Sequence, residues 1–324
     1  MLIMKYIKKR IRLNYIWIAF LTFFTIFGFA VNSLLARTAL YNSALSPLSY
    51  SLLRLGSGAL TLFIIISYKK IKLPKPNYLS AFALFVYAFC FSVGYIEIGV
   101  AVGALLVFSA VQFTIIGNAI LIHKEKLFLL QWLGVIISMG GFILLVYKGL
   151  SVPKNFTGYF GALMMIISGI GWGIYTLKGR FEKQYLSRTA SNFIYSLIYL
   201  IPFIIIFAFF KGGFINWQYI KTPYVYLNPI MMGVLSGAVF SALFYMLWYK
   251  VVTKLSRVLS SSVQLLTPAI AAALGIIFLN EKISLNFFIS AILILGGIIF
   301  VILKEKTAEV KEETIEDLEE TFDK

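Results

Sequence analysis

The sequence predicts an all-α integral membrane protein of ten transmembrane helices, built as an inverted five-plus-five structural repeat. Three observations predict it. Of 324 residues, 60% are apolar and only 13% charged, and the mean hydropathy is +0.90; a soluble domain carries about 25% charged residues. The apolar residues fall into ten runs, each long enough to cross a bilayer as a helix, the structure that satisfies its backbone internally. Finally, the chain resembles itself after a shift of 156 positions, which carries Glu125-Lys126 onto Glu281-Lys282 and Gly140-Gly141 onto Gly296-Gly297. Both copies read as an apolar helix, a charged break and a second apolar helix, and repetition at half the chain length points to a duplicated bundle.

The runs follow in order. Residues 1–14 form a basic N-terminus with Lys5, Lys8, Lys9, Arg10 and Arg12. The first apolar run, from about 15 to 36, is too long for the apolar core of a cleaved leader and is read as a retained span. Further spans are expected at about 47–67, 78–98, 100–122 and 128–147, closing a first repeat over 15–147. A linker at 148–156 leads to a second repeat over 157–303, with spans at about 157–177, 190–210, 228–249, 257–279 and 284–303. The segment 304–324 holds nine of the thirteen acids and reads as a disordered or loosely helical solvated tail.

Loop charge orients the bundle. With the N-terminus inside, and counting through Lys306, 20 Lys and Arg fall on inner segments and 6 on outer ones. That bias places both termini in the cytoplasm and the 211–226 loop outside. Five spans per repeat is an odd number, so the second repeat enters from the opposite side. The net charge of +16 then belongs to loops that meet anionic lipid headgroups, not to a nucleic-acid-binding face. The GxxxG pairs Gly99/Gly103, Gly169/Gly173 and Gly233/Gly237 read as close helix contacts.

Enzyme chemistry finds no constellation. The sequence has no HExxH, no GxSxG and no GxxxxGK[ST], so neither a metalloprotease, a hydrolase elbow nor a P-loop is present. One cysteine, Cys90, and one histidine, His123, allow neither a disulfide within the chain nor a Cys/His metal cluster. No metal and no cofactor is expected. His123 and Glu125 lie at a helix end, where charged residues are structural.

Polar side chains inside the spans carry the site reading. Gln112 and Gln264 occupy the two copies of the duplicated helix; under the shift Gln264 falls on Phe108 and Gln112 on Pro268, one turn away in each case. Both amides therefore lie on corresponding faces, and an amide in hydrocarbon must find a partner or a wet cavity. Pro268 lacks an N–H, so the carbonyl of Gln264 loses its helical donor and is expected to stand open. Asn32, Trp172, Tyr175, Thr176 and Tyr245 add polar or aromatic groups away from the span ends. The stripe Tyr87, Phe91, Tyr95 is set aside, because in a chain with 17% aromatics most such stripes face lipid. Arg54 lies two turns inside span two, where a guanidinium costs about 2.5–3.5 kcal/mol to insert. Glu97 is the acid available at similar depth, so the two are candidates for a structural ion pair or for gating and coupling.

The motifs Phe27-Gly28-Phe29-Ala30-Val31-Asn32, Ser46-Pro47 with Leu53-Arg54, Gly103-Ala104-Leu105-Leu106, Glu125-Lys126, Gly171-Trp172-Gly173-Ile174-Tyr175, Leu266-Thr267-Pro268-Ala269 and Gly296-Gly297 resemble those of the drug/metabolite transporter superfamily, specifically chains with two EamA domains. The resemblance covers nearly all of 15–303. It implies a central cavity between the repeats that opens alternately to each side, and a secondary transporter, an exporter of a small organic metabolite such as an amino acid, in a bacterial cytoplasmic membrane. The expected partners are the lipid bilayer and a small-molecule substrate; protons are the candidate coupling ion, with Glu97 the candidate carrier in the spans, and an uncoupled facilitator fits the sequence equally well. Where the family's first repeat commonly has a proline, this chain has Gln112, which favours a polar cavity wall there. Competing readings are a flippase for a lipid-linked or phospholipid substrate, with a lateral opening, and a non-transporting membrane subunit, with no wet midplane cavity.

Overall fold

The computed structural model describes the chain except residues 1, 41–44, 99, 148–149, 151–152, 210–227, 280–284 and 323–324; side chains at 2–15, 100, 207–208, 275–276, 278–279 and 305–322 are also outside it. Gly99, the second charged break at Asn280-Glu281-Lys282 and the expected outer loop at 211–226 therefore lie outside the described residues.

Ten helices are long and apolar enough to cross a membrane among the described residues. In chain order they are α1 (Leu2–Leu40), α2 (Pro47–Tyr68), α3 (Tyr78–Glu97), α4 (Val100–Gly117), α5 (Leu129–Val146), α6 (Phe156–Gly179), α7 (from Tyr185, in consecutive pieces to Phe209), α8 (Pro229–Val252), α9 (Arg257–Leu279) and α10 (Leu285–Phe322). Their starts are written in the sequence. Ser46 accepts from the Ser49 N–H at 3.1 Å, and Pro47 sits in the first turn, where its missing donor costs nothing. Asn228 and Pro229 repeat the device at α8, with the Ile230 N–H at 2.9 Å. Asn77, Asn155 and Ser256 cap α3, α6 and α9.

Three departures from regular helix matter below. A π-helical turn, Asn118–Ile122, ends the fourth span; a second, Ser236–Ser241, interrupts α8; a 3₁₀ turn, Val263–Leu265, breaks α9. Three boundaries differ from the sequence expectation. α7 starts at Tyr185, five residues early, because Ser187, Thr189, Ser191 and Asn192 lower its hydropathy but turn inward and are buried. The terminal segments continue as helix, α1 from Leu2 and α10 to Phe322.

The bundle is apolar outside, with Phe20, Phe63, Ile64, Phe113 and Ile136 exposed where a bilayer would solvate them, and dotted with polar groups inside. Many buried hydroxyls are satisfied by the carbonyl one turn back, as Thr25 on Leu21 at 2.6 Å and Ser92 on Ala88 at 2.7 Å.

The two halves pack as an inverted pair. α5 lies along α10, and a Cβ on Gly134 would stand 2.6 Å from the Gly297 carbonyl oxygen, while one on Gly141 would stand 3.0 Å from that of Ser290. The 156-residue shift turns Gly134 into Ser290 and Gly141 into Gly297, so these two contacts are the same contact seen from each half. Likewise α3 on α6 corresponds to α8 on α1, and α2 packs on α7, its own counterpart.

Candidate functional site

A cavity of about 500 Å³ opens between the repeats. Its lining comes from α1 (Phe29, Asn32, Arg37), α3 (Tyr87, Phe91, Tyr95) and α4 (Ala101, Ala104, Phe108), with Trp172 of α6 and Tyr245 of α8 facing Gln264, Thr267 and Pro268 of α9. These positions run from the middle of each span to the ends away from the chain termini. The wall is mostly aliphatic and aromatic, with a few polar groups at depth, the usual make-up of a small-molecule site.

Trp172 and Gln264 form the floor. The Trp172 Nε1–H donates to Gln264 Oε1 at 2.5 Å, and Gln264 Nε2 donates to the Ser260 carbonyl at 2.7 Å. At the carbonyl expected to stand open before Pro268, α9 departs from regular α-helix. α9 tightens into its 3₁₀ turn there, and the Leu266 N–H is directed at the carbonyls of Gln264 and Val263.

Beside the floor, Arg54 of α2 is 1% exposed. Its Nε donates to Ser241 Oγ at 2.9 Å, and its Nη2 donates to the Tyr87 hydroxyl at 3.1 Å and to the Tyr245 hydroxyl. Asn32 joins with its amide oxygen turned to the guanidinium: the oxygen accepts from Nη2 at 2.9 Å and the nitrogen donates to Ser236 Oγ at 2.6 Å. The reverse orientation would set donor against donor. The guanidinium carbon lies 5.0 Å from the Tyr87 ring centroid, 5.9 Å from that of Tyr245 and 6.0 Å from that of Phe91. Ser236 and Ser241 are the two ends of the π-helical turn in α8, and Gly237 between them lets α8 close onto the Arg54 carbonyl, where a Cβ would collide. Glu97 is not a partner. It is exposed at the end of α3, its Cβ packed where Gly161 leaves room, so the Arg54–Glu97 ion pair does not form.

Toward the termini the bundle is solid. Tyr175, Trp248 and Tyr249 are fully buried; Trp248 Nε1 donates to Thr176 Oγ1 at 3.0 Å, and Asn192 Nδ2 to the Tyr249 hydroxyl at 3.0 Å. The rings of Tyr175 and Tyr249 stand 4.7 Å apart. At the end of this half, Arg257 of α9 forms an ion pair with Glu125 in the break after α4.

Of the residues singled out from sequence, Asn32, Trp172, Tyr245, Gln264 and Pro268 line the cavity. Arg54 stands one side chain behind its wall. Tyr175 belongs to the packed half instead. Gln112 is 3% exposed beneath the cavity, and its Nε2 has no partner among the described residues. The stripe Tyr87, Phe91, Tyr95, set aside as lipid-facing, lines the cavity on α3. Sequence reasoning missed Ser236 and Ser241, whose signal was two small polar residues inside an apolar span, and the Glu125–Arg257 pair.

The chain is similar to known proteins along most of its length. Residues 159–303, the stretch of the second repeat, match the family model described as "EamA-like transporter family". An uncharacterised protein of Pseudomonas aeruginosa is 34% identical over 284 residues, which is 87% of this chain and 93% of that one. An uncharacterised transporter of Archaeoglobus fulgidus is 26% identical, covering 61% of this chain and 71% of its own; one of Bacillus subtilis is 22% identical, covering 78% and 86%. A protein crystal structure aligns with a TM-score of 0.69 at 15% identity over 88% of this chain and 97% of that one, a likeness of fold alone. With ten apolar helices in an inverted repeat and these relatives along its length, the chain belongs to the EamA-like transporter family.

Proposed function

We propose that this protein is a secondary transporter that exports a small organic metabolite, an amino acid or a related amphipathic compound, across the cytoplasmic membrane by alternating access. The observation that carries the reading is the one-sided cavity: about 500 Å³, reaching from mid-bundle to one end, above a half packed shut by Tyr175, Trp248 and Tyr249. The loop-charge bias makes the open end the outer one.

The pseudo-twofold relation supplies the other state. If the repeats exchange conformations, each lining residue hands its role to its counterpart. Pro268 lines the cavity now, and its counterpart is Gln112. Gln112 would then line the inward-open cavity, which explains why a buried amide nitrogen is left without a partner in this state. The Glu125–Arg257 pair holds the closed end and must part in that exchange. Arg54 ties α2 to α3 and α8 through neutral groups, so its network must rearrange when those helices move apart, a gating role. Glu97 does not line the cavity, which separates it from direct proton hand-over to a substrate there.

The test is flux. Purified protein in proteoliposomes, given a panel of small metabolites, should show saturable, ATP-independent movement of at least one amphipathic compound. Absence of protein-dependent flux across the panel would overturn the reading.

A further inference from the structure

We propose that the cavity takes a small organic anion, a carboxylate on an aromatic or apolar body, with the Tyr87 hydroxyl donating to the carboxylate and the Arg54 charge lying just behind it. This names a substrate class for the transport reading above and rests on it.

The first argument is charge. Arg54 is a buried cation whose described partners are all neutral: the hydroxyls of Ser241, Tyr87 and Tyr245, the Asn32 amide oxygen, and ring faces. No carboxylate lines the cavity among the described residues. The site therefore carries an excess of positive charge in a low-dielectric region, where an anion is favoured and a cation opposed. At an effective dielectric of about 20, a unit charge about 6 Å away changes an affinity about a hundredfold before desolvation is subtracted.

The second argument is the direction of the hydroxyls. Arg54 can only donate, so the Tyr87 and Tyr245 oxygens accept from it and keep their protons to give away. The Tyr245 hydroxyl lies 3.4 Å from that of Tyr87 and donates to it. The Tyr87 proton then has the cavity as its remaining direction. Thr267 adds a buried hydroxyl in the lining that has no partner among the described residues. Both groups are what a carboxylate oxygen needs.

The third argument weighs against the alternatives at the Arg54 end of the cavity. Aromatic faces can hold an ammonium, but those of Tyr87, Tyr245 and Phe91 already face the Arg54 guanidinium. A phosphate is favoured by a free guanidinium fork, whereas Nε and Nη2 of Arg54 are already engaged within the protein. The body of the ligand meets Trp172, Phe91 and Phe108, an apolar and aromatic surround.

A matched series tests this: 3-phenylpropionate, phenylalanine and phenethylamine share one body and differ in charge. Binding is measured by calorimetry on the full chain in nanodiscs. The expected result is 3-phenylpropionate bound at least about tenfold more tightly than either of the others. Tyr87→Phe should weaken the anion about fivefold and leave phenethylamine unchanged. That variant keeps the ring, so it carries the test even where Arg54→Gln fails to fold. Equal or tighter binding of phenylalanine or phenethylamine, an unaltered anion affinity in Tyr87→Phe, or binding of none of the three overturns the inference. The proteoliposome panel decides separately whether the transport reading stands.

Discussion

Gln264 and Gln112 occupy the two copies of one helix, yet their amides live in opposite conditions. Gln264 accepts from the Trp172 indole and donates to the Ser260 carbonyl, whereas the nitrogen of Gln112 has no partner among the described residues. Removing one side of a buried hydrogen bond costs about 1–3 kcal/mol, and removing an already unpaired group costs little. Gln264→Leu should therefore lower the melting temperature in detergent, while Gln112→Leu leaves it unchanged or raises it and slows transport, because the amide serves the other state. Equal destabilisation by both substitutions would show these bonding assignments to be wrong. Sequence alone could mark such residues, since a polar or charged side chain within an apolar run is conspicuous; Asn32, Arg54, Gln112 and Gln264 were all visible this way. It could not pair them. Complementarity of charge pointed Arg54 to Glu97, the acid at hand, whereas the partners are neutral hydroxyls: Ser241 at the end of the π-helical turn of α8, Tyr245 beyond it, and Tyr87 of α3. Tyr87 was hidden for a different reason: in so aromatic a chain its spacing looks the same whether it faces lipid or a cavity.

Among the elements, α5 and α10 give the sharpest test of packing. In each double glycine, one member faces open space and the other meets the opposing backbone. A Cβ on Gly140 or Gly296 would have nothing within 4 Å, but one on Gly297 would stand 2.6 Å from the Ser138 nitrogen, and one on Gly141 2.6 Å from Leu293 Cβ. Gly297→Ala should cost about 1–3 kcal/mol through overpacking, while Gly296→Ala should be tolerated. Thermal unfolding of the two variants checks it, and equal stability would mean the helices do not approach as closely as described. The spans themselves were legible because hydrocarbon demands long apolar helices. What was not legible were the points where helices loosen or tighten: no residue type demands the turn at Ser236–Ser241, and Pro268 announced a fault in α9 without showing that it takes the form of a 3₁₀ turn. The early start of α7 was missed because hydropathy counts Ser187, Thr189 and Asn192 as polar wherever they point.

For the whole molecule, the duplication seen in the sequence and the mirrored contacts of α5 with α10 show two related halves, and the proposed function gives them two equivalent arrangements, of which the structure holds one. The central claim is that the repeats exchange them. Ala272 lines the open cavity, and its counterpart, Ile116, is buried beneath it. Single cysteines at these two positions, with Cys90 replaced by serine, report the exchange through labelling by a membrane-impermeant thiol reagent. The account predicts that Ala272→Cys is labelled from the outer face only and Ile116→Cys from the cytoplasmic face only. A transported metabolite should shift the two labelling rates in opposite directions. Labelling of both sites from one face, or no labelling of Ile116→Cys from either face under any condition, would contradict it.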